Sequence, residues 1–268
     1  NEIHQMDDEN GKEGLLTSIE DKNEGIDIKN IMFKYDPHAL RKTIDDVSIH
    51  IPQGKVTALV GASGSGKTTL IRLMLGYYPV LEGQINIGNT DINTLNKKWW
   101  RRQCGVVMQD GVIFSESIAR NIAVDNGDID KERLVKAAEI ACIKDYVMAL
   151  PLKFNTKIGR DGVGLSQGQK QRILIARAVY KNPDYIFLDE ATNSLDANNE
   201  RSIVENLDKF YKGKTVVIVA HRLSTVKNAD QIVVIDHGKV VEIGNHESLT
   251  AKRGAYYNLV KNQLELGN

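Results

Sequence analysis

One short stretch, Gly61-Ala62-Ser63-Gly64-Ser65-Gly66-Lys67-Thr68-Thr69, limits what this chain can be more than any other part of it. It follows the apolar run Val56 to Val60 and precedes Leu70 to Leu75, where most positions hold a helix former. Strand, glycine-rich turn and helix, in that order, give the pattern G-x-x-x-x-G-K-[ST] its meaning as a phosphate-binding loop. Glycines let consecutive backbone N–H groups converge on phosphate oxygens, and the helix start adds the positive end of its dipole. Gly61, Ser63, Gly64, Ser65, Gly66 and Thr69 therefore make up the expected cradle. Lys67 adds a mobile point charge, and the Thr68 hydroxyl is a candidate ligand for Mg2+.

The rest of the composition narrows the class. Lys plus Arg equals Asp plus Glu at 35 each, so no global field recruits nucleic acid or an anionic membrane. Two cysteines, Cys104 and Cys142, give neither a disulfide framework nor a zinc cluster. No run approaches about eighteen apolar residues, so no bilayer span is expected from this stretch. The sequence starts at Asn1, which reads as a piece cut from something longer.

Along the chain, residues 1–24 are polar and acidic in patches and read as a linker from a preceding segment. Ile26 to Tyr35 and Thr43 to Ile51 alternate as half-buried antiparallel strands at one edge of the fold. Short strands are expected at Gln84–Gly88 and Gly105–Met108. Between Asp110 and Asn182 the period changes to three and four, with helices expected over 115–124, 129–142 and 167–180. Fully apolar strands return at Tyr185–Leu188, Thr215–Val219 and Ile232–Ile235, as in a parallel sheet covered on both faces. Helices fit 198–211 and 255–264.

The strand at Tyr185 ends in Asp189-Glu190. In phosphate-loop enzymes an acid there, at the carboxyl end of a neighbouring strand, holds the Mg2+ shell, and the next acid is placed to polarise an attacking water. Leu165-Ser166-Gln167-Gly168-Gln169 opens a long helix with a serine cap, a second candidate anion site.

That last stretch resembles the LSGGQ signature of ABC-type ATPases, and it stands where the signature should, ahead of Asp189-Glu190. Other parts match in order. Tyr35 resembles the aromatic residue that stacks on adenine, and Gln109 the Q-loop glutamine. Ser194-Leu195-Asp196 resembles the D-loop, and His221 the switch histidine. The resemblance covers about residues 25 to 265 and implies an α/β fold: a RecA-like phosphate-loop core (25–109 and 183–268) with a mainly parallel sheet, an antiparallel β subdomain, and a helical insertion (110–182) bearing the signature.

It also implies ATP and Mg2+ as ligands, with Thr68, Gln109 and Asp189 at the metal, and Glu190, Gln109 and His221 at the reaction. Ser166, Gln167, Gly168, Gln169 and Asp196 would contact the ATP of a second copy in a head-to-tail dimer. Phe114 to Ile122 and Gly159-Arg160-Asp161-Gly162 look like exporter-type segments, so the further implied partners are transmembrane domains docking coupling helices near Gln109. The implied place is the cytoplasmic face of the inner membrane. Two positions depart from the family: Gln167 replaces a glycine, and Arg160 stands where an acid is usual. The stretches around Ser166 and Ala191 to Asp196 are most similar to those of bacterial peptide exporters that carry a peptidase domain. A soluble ABC-type ATPase acting on DNA or ribosomes is the alternative, disfavoured by the absence of a basic stripe, a zinc module or a second cassette.

Overall fold

The structure, a computed structural model, describes residues 14–124, 127–191, 197–220 and 223–266. Strands β1 (Ile26–Phe33), β2 (Ile44–Ile51), β4 (Glu82–Ile87) and β5 (Thr90–Asp91) form an antiparallel sheet in the order β2-β1-β4-β5. Its inner face is set by alternation: Ile26 lies between Ile51 and Ile87, and Ile28 between Ile49 and Ile85. All six isoleucines are buried, while Asp27 and Lys29 between them point away.

The second sheet has the order β10-β9-β3-β8-β7-β6, built from β3 (Val56–Val60), β6 (Cys104–Val107), β7 (Tyr185–Asp189), β8 (Thr215–Val219), β9 (Gln231–Asp236) and β10 (Lys239–Gly244). The five strands from β9 to β6 run parallel, and β10 closes the edge antiparallel. Each parallel strand divides its side chains between two cores. Tyr185, Phe187, Val217, Val219, Val233 and Ile235 join the antiparallel sheet, α1 (Lys67–Met74) and α2 (Lys97–Gln103). Ile186, Leu188, Val216, Ile218, Ile232 and Val234 face α3 (Ile118–Ala123), α4 (Lys131–Ile140), α5 (Lys144–Ala149), α6 (Gln167–Lys181) and α7 (Ala197–Phe210). Burial on both faces is why these strands are largely apolar. At about 25 cal/mol per Å² of apolar surface, this layered burial is the main driving force for the fold.

The chain closes with α8 (Leu223–Val226), α9 (His246–Lys252) and α10 (Ala255–Leu266). Several elements go beyond the sequence reading. Helix α2 is short and highly charged, yet it buries Trp100, whose indole N–H donates to the Met74 carbonyl at 2.8 Å. Strand β10 returns through a turn at His237-Gly238, both at positive φ. Two expected helices are shorter because side chains cap them inside the predicted ends. Ser117 accepts from the Arg120 N–H at 3.1 Å, and Asp130 accepts from the Arg133 N–H at 3.0 Å. The expected linker is also partly built in. Leu16 N–H donates to the Thr94 carbonyl at 2.9 Å, and Glu20 N–H donates to the Thr90 hydroxyl at 2.9 Å. Residues 1–13 lie outside the described residues.

Candidate functional site

Register brings the site together at the carboxyl end of the parallel sheet. Val219 lies between Leu59 and Asp189, so the ends of β3, β8 and β7 emerge side by side. The glycine loop leaves β3 there, and ligands in open α/β sheets bind outside such carboxyl ends. Gly61 has φ 148, and a Cβ on it would stand 2.0 Å from the Ile235 carbonyl oxygen. The next element of support is the β9–β10 turn, where Gly238 N–H donates to the Ser65 carbonyl at 3.0 Å. Strand β9 and its turn therefore hold the loop from behind, and no side chain is tolerated at Gly61.

Inside the loop, Lys67 is 5% exposed, and its ammonium donates to the carbonyls of Gly61 at 2.9 Å and Ala62 at 2.8 Å. Burial lowers its pKa, partly offset by the Glu190 and Asp189 carboxylates. Thr68 Oγ1 donates to Asp189 Oδ1 at 3.0 Å, so two hard oxygen donors from α1 and β7 meet where Mg2+ coordination was expected. Glu190 follows in the left-handed region at φ 53, with its N–H donating to the Val219 carbonyl at 3.2 Å. Such a conformation costs a non-glycine residue about 1–3 kcal/mol and is concentrated at functional sites.

Asp189 is almost wholly buried, and burial raises its pKa despite the hydrogen bond from Thr68 and the nearby Lys67 and Arg72. A raised carboxyl pKa means that the folded chain holds this proton to higher pH than the unfolded chain. Ionised Asp189 therefore costs stability at neutral pH, and the cost disappears as pH falls into the carboxyl range. Asp189→Asn keeps the acceptor for Thr68 and removes the charge. It is expected to raise the thermal midpoint of the nucleotide-free chain at pH 7, by roughly 2–4 °C per kcal/mol relieved, with a gain that shrinks on acidification. A lower midpoint at pH 7 would contradict this sign.

Tyr35 stands 47% exposed beside the loop, held edge-on by Phe33 at 4.9 Å and Tyr78 at 5.3 Å between ring centroids. Its hydroxyl lies 3.1 Å from Thr69 Oγ1 and accepts from Arg72 Nη1 at 3.4 Å. Arg72 was not singled out from sequence, although it follows Thr68 by one helical turn and so shares its face. It also pairs with Asp110 at 3.7 Å, the neighbour of Gln109. Gln109 itself is exposed in the turn after β6, next to the strand that ends in Asp189.

Ser166 to Gln169 are placed apart, at the start of α6. Ser166 Oγ accepts from the Gln169 N–H at 3.2 Å, and Gln169 Oε1 accepts from the Ser166 N–H at 2.9 Å, a reciprocal capping box. Gln167 is exposed and Gly168 half-buried, and both lie in the first turn, where N–H groups have no intrahelical partner. Among the described residues, the Ser166 and Gln169 side chains have no hydrogen bond to the glycine loop. Asp196 and His221 lie outside the described residues.

Comparison with known proteins agrees with this geometry. The family model described as ABC transporter matches residues 44–193. ATP-binding cassette sub-family B member 10, mitochondrial, of Mus musculus is 42% identical over 254 residues, which are 94% of this chain and 36% of that protein. The leukotoxin translocation ATP-binding protein LktB of Mannheimia haemolytica is likewise 42% identical, over 95% of this chain and 36% of its own length. Among solved structures, a bacterial Atm1-family ABC exporter with ATP bound superposes with a TM-score of 0.87 at 33% identity, covering 95% of this chain and 44% of that one. The chain thus spans about a third of the length of the curated relatives it matches. With a glycine-rich loop between strand and helix, a strand-end acid pair and a capped helix at Ser166 on a two-sheet α/β core, the chain belongs to the ABC transporter family, as its ATP-binding and ATP-hydrolysing domain.

Proposed function

We propose that this chain is the motor of an exporter. Two copies pair head to tail around two ATP molecules, and hydrolysis lets them part and moves attached transmembrane segments. The observation that supports this reading is that its two candidate anion sites stand on different elements with no hydrogen bond between them among the described residues. Lys67, Thr68, Asp189 and Glu190 cluster at the carboxyl end of the parallel sheet, whereas the Ser166 cap presents its first-turn N–H groups on another element. A helix start of this kind favours negative charge, and a triphosphate held by the second copy would supply it.

In each site Lys67 and the loop N–H groups from Gly61 to Thr69 bind the β- and γ-phosphates, and Tyr35 stacks on the base, a contact that tolerates any base face. Thr68, Gln109 and Asp189 would hold Mg2+, which when bound neutralises charge on the phosphate oxygens. Glu190 takes the proton of the attacking water, Gln109 orients that water, and His221 donates to the γ-phosphate. From the other copy, Ser166, Gln167, Gly168, Gln169 and Asp196 close over the phosphates. Loss of the γ-phosphate removes charge-assisted bonds across the pair, as in other γ-phosphate switches.

Residues 1–24 would lead in from a membrane domain, with 25–109 and 183–268 as the ATP-binding core and 110–182 as the helical part carrying the signature. Transmembrane domains would dock coupling helices beside Gln109, placing the chain at the cytoplasmic face of the inner membrane. Peptide cargo fits the leukotoxin translocation named for one relative. No helix among the described residues is long and apolar enough to cross a membrane. The purified chain is expected to release phosphate from ATP only with Mg2+ present, and chelation with EDTA to stop it. Turnover that persists in EDTA would remove the metal assignment.

A further inference from the structure

The segment between β6 and α3 carries Gln109 near its start and has almost no regular structure, yet its backbone is tightly held from one side. Asn121 of α3 is fully buried. Its Oδ1 accepts from the Phe114 N–H at 2.8 Å, and its Nδ2 donates to the carbonyls of Phe114 at 3.0 Å, Ser117 at 3.1 Å and Glu116 at 3.3 Å. Arg177 of α6 completes the node. Its Nε donates to the Asn121 carbonyl at 2.8 Å, Nη1 to the Val112 carbonyl at 3.1 Å and Nη2 to Asn121 Oδ1 at 3.3 Å. The guanidinium also lies over the Phe114 ring, 5.1 Å from its centroid. Burial lowers the Arg177 pKa to about 10, which leaves it cationic at neutral pH.

Toward α1 the segment is held weakly. Asp110 is 76% exposed and meets Arg72 of α1 at 3.7 Å, and exposed ion pairs of this length contribute little. Displacement of the segment would therefore break the Arg72 contact before it strained the buried node. Helix α6 runs without interruption from Gln167 to Lys181. Arg177 lies on the order of 15 Å along it from the Ser166 end at 1.5 Å per residue.

We infer that Arg177 and Asn121 are positioning residues that make residues 112–118 one body with α6, so that the loop bearing Gln109 sets where the Ser166 cap meets the second copy's ATP. This rests on the two-copy reading above. The node lies about three helical turns along α6 from the Ser166 cap, so its effect on turnover would pass through the cap. A lone cation in the apolar run Ile173 to Val179 was the sequence signal for it.

Mixed dimers of the full 268-residue chain test it. Glu190→Gln disables the site built on the loop of the chain that carries it. Placing Arg177→Lys and Glu190→Gln in one chain, with an unmutated partner, leaves a single working site that uses the partner's loop and the variant's cap. The expected result is a turnover number at least about tenfold below that of the Glu190→Gln/unmutated control, with the KM for ATP unchanged because the intact loop sets it. Asn121→Ala in the same arrangement should behave alike. Turnover equal to the control would confine the node to its own loop and overturn the inference. A control pair that does not form with ATP would instead remove the two-copy reading, and the inference with it. Amide exchange in Glu190→Gln chains that are otherwise unmutated gives a result independent of how the node variants fold. Protection at Phe114 and at the start of α6 should rise together on ATP addition, and independent responses would overturn the inference.

Discussion

Lys67→Ala is expected to lower ATP turnover by about 10²–10³-fold, the range seen when one preorganised donor to a developing charge is removed, and to weaken ATP binding. The fold should survive. The lysine is buried at a cost, since burial alone lowers its pKa. The carbonyls it serves belong to Gly61 and Ala62, which are half-buried and exposed and can turn to water. Turnover and thermal unfolding measured on the same preparation separate the two effects. A large drop in midpoint with proportionate loss of activity would make Lys67 a structural residue.

Gly61→Ala should cost stability as well as nucleotide binding. Its Cβ would fall 2.0 Å from the Ile235 carbonyl oxygen and 2.9 Å from Ser65 Oγ, at a φ that side chains rarely adopt. The backbone of β9 cannot yield without disturbing a central parallel strand, so the loop must move. Overpacking and backbone strain of this kind each cost about 1–3 kcal/mol, enough to shift the midpoint by several degrees and to abolish nucleotide binding. Gly64→Ala is the comparison. That position has φ 76 but no neighbour within 4 Å, so it carries the conformational cost without the clash. If Gly64→Ala is as damaging as Gly61→Ala, close approach to β9 is not what excludes a side chain at Gly61.

How much of this was legible in the sequence depended on the range of the physics involved. The phosphate loop could be read because a local pattern of glycines, lysine and threonine fixes backbone and charge together. The parallel strands were readable because burial on both faces leaves an unbroken apolar run, as in Val216 to Val219. Helix α2 was not, since Trp100 packs against the end of α1 and only tertiary contact makes its charged sequence helical. The β9–β10 hairpin carries only a short turn signal, His237-Gly238, between two strands of different character. Within the site, Tyr35, Thr68 and Asp189 were each identified by type, but their connections were not. The contacts of Arg72 with Tyr35 and Asp110 span sequence separations that no local pattern records. Ser166 and Gln169 were identified together because the stretch Leu165 to Gln169 resembles a contiguous signature; their reciprocal capping box emerged only in the structure.

Complementation between two disabled chains tests most directly whether each ATP is enclosed by two copies. Lys67→Ala removes the loop's grip but leaves a normal cap. Ser166→Arg spoils the cap but leaves a normal loop. Each alone should be nearly inactive, and an equal mixture should regain up to about a quarter of unmutated turnover, since a symmetric pair has two sites and half the random pairs hold one intact site. A mixture no more active than its two components, or full activity from Ser166→Arg alone, would mean that one copy encloses its ATP unaided.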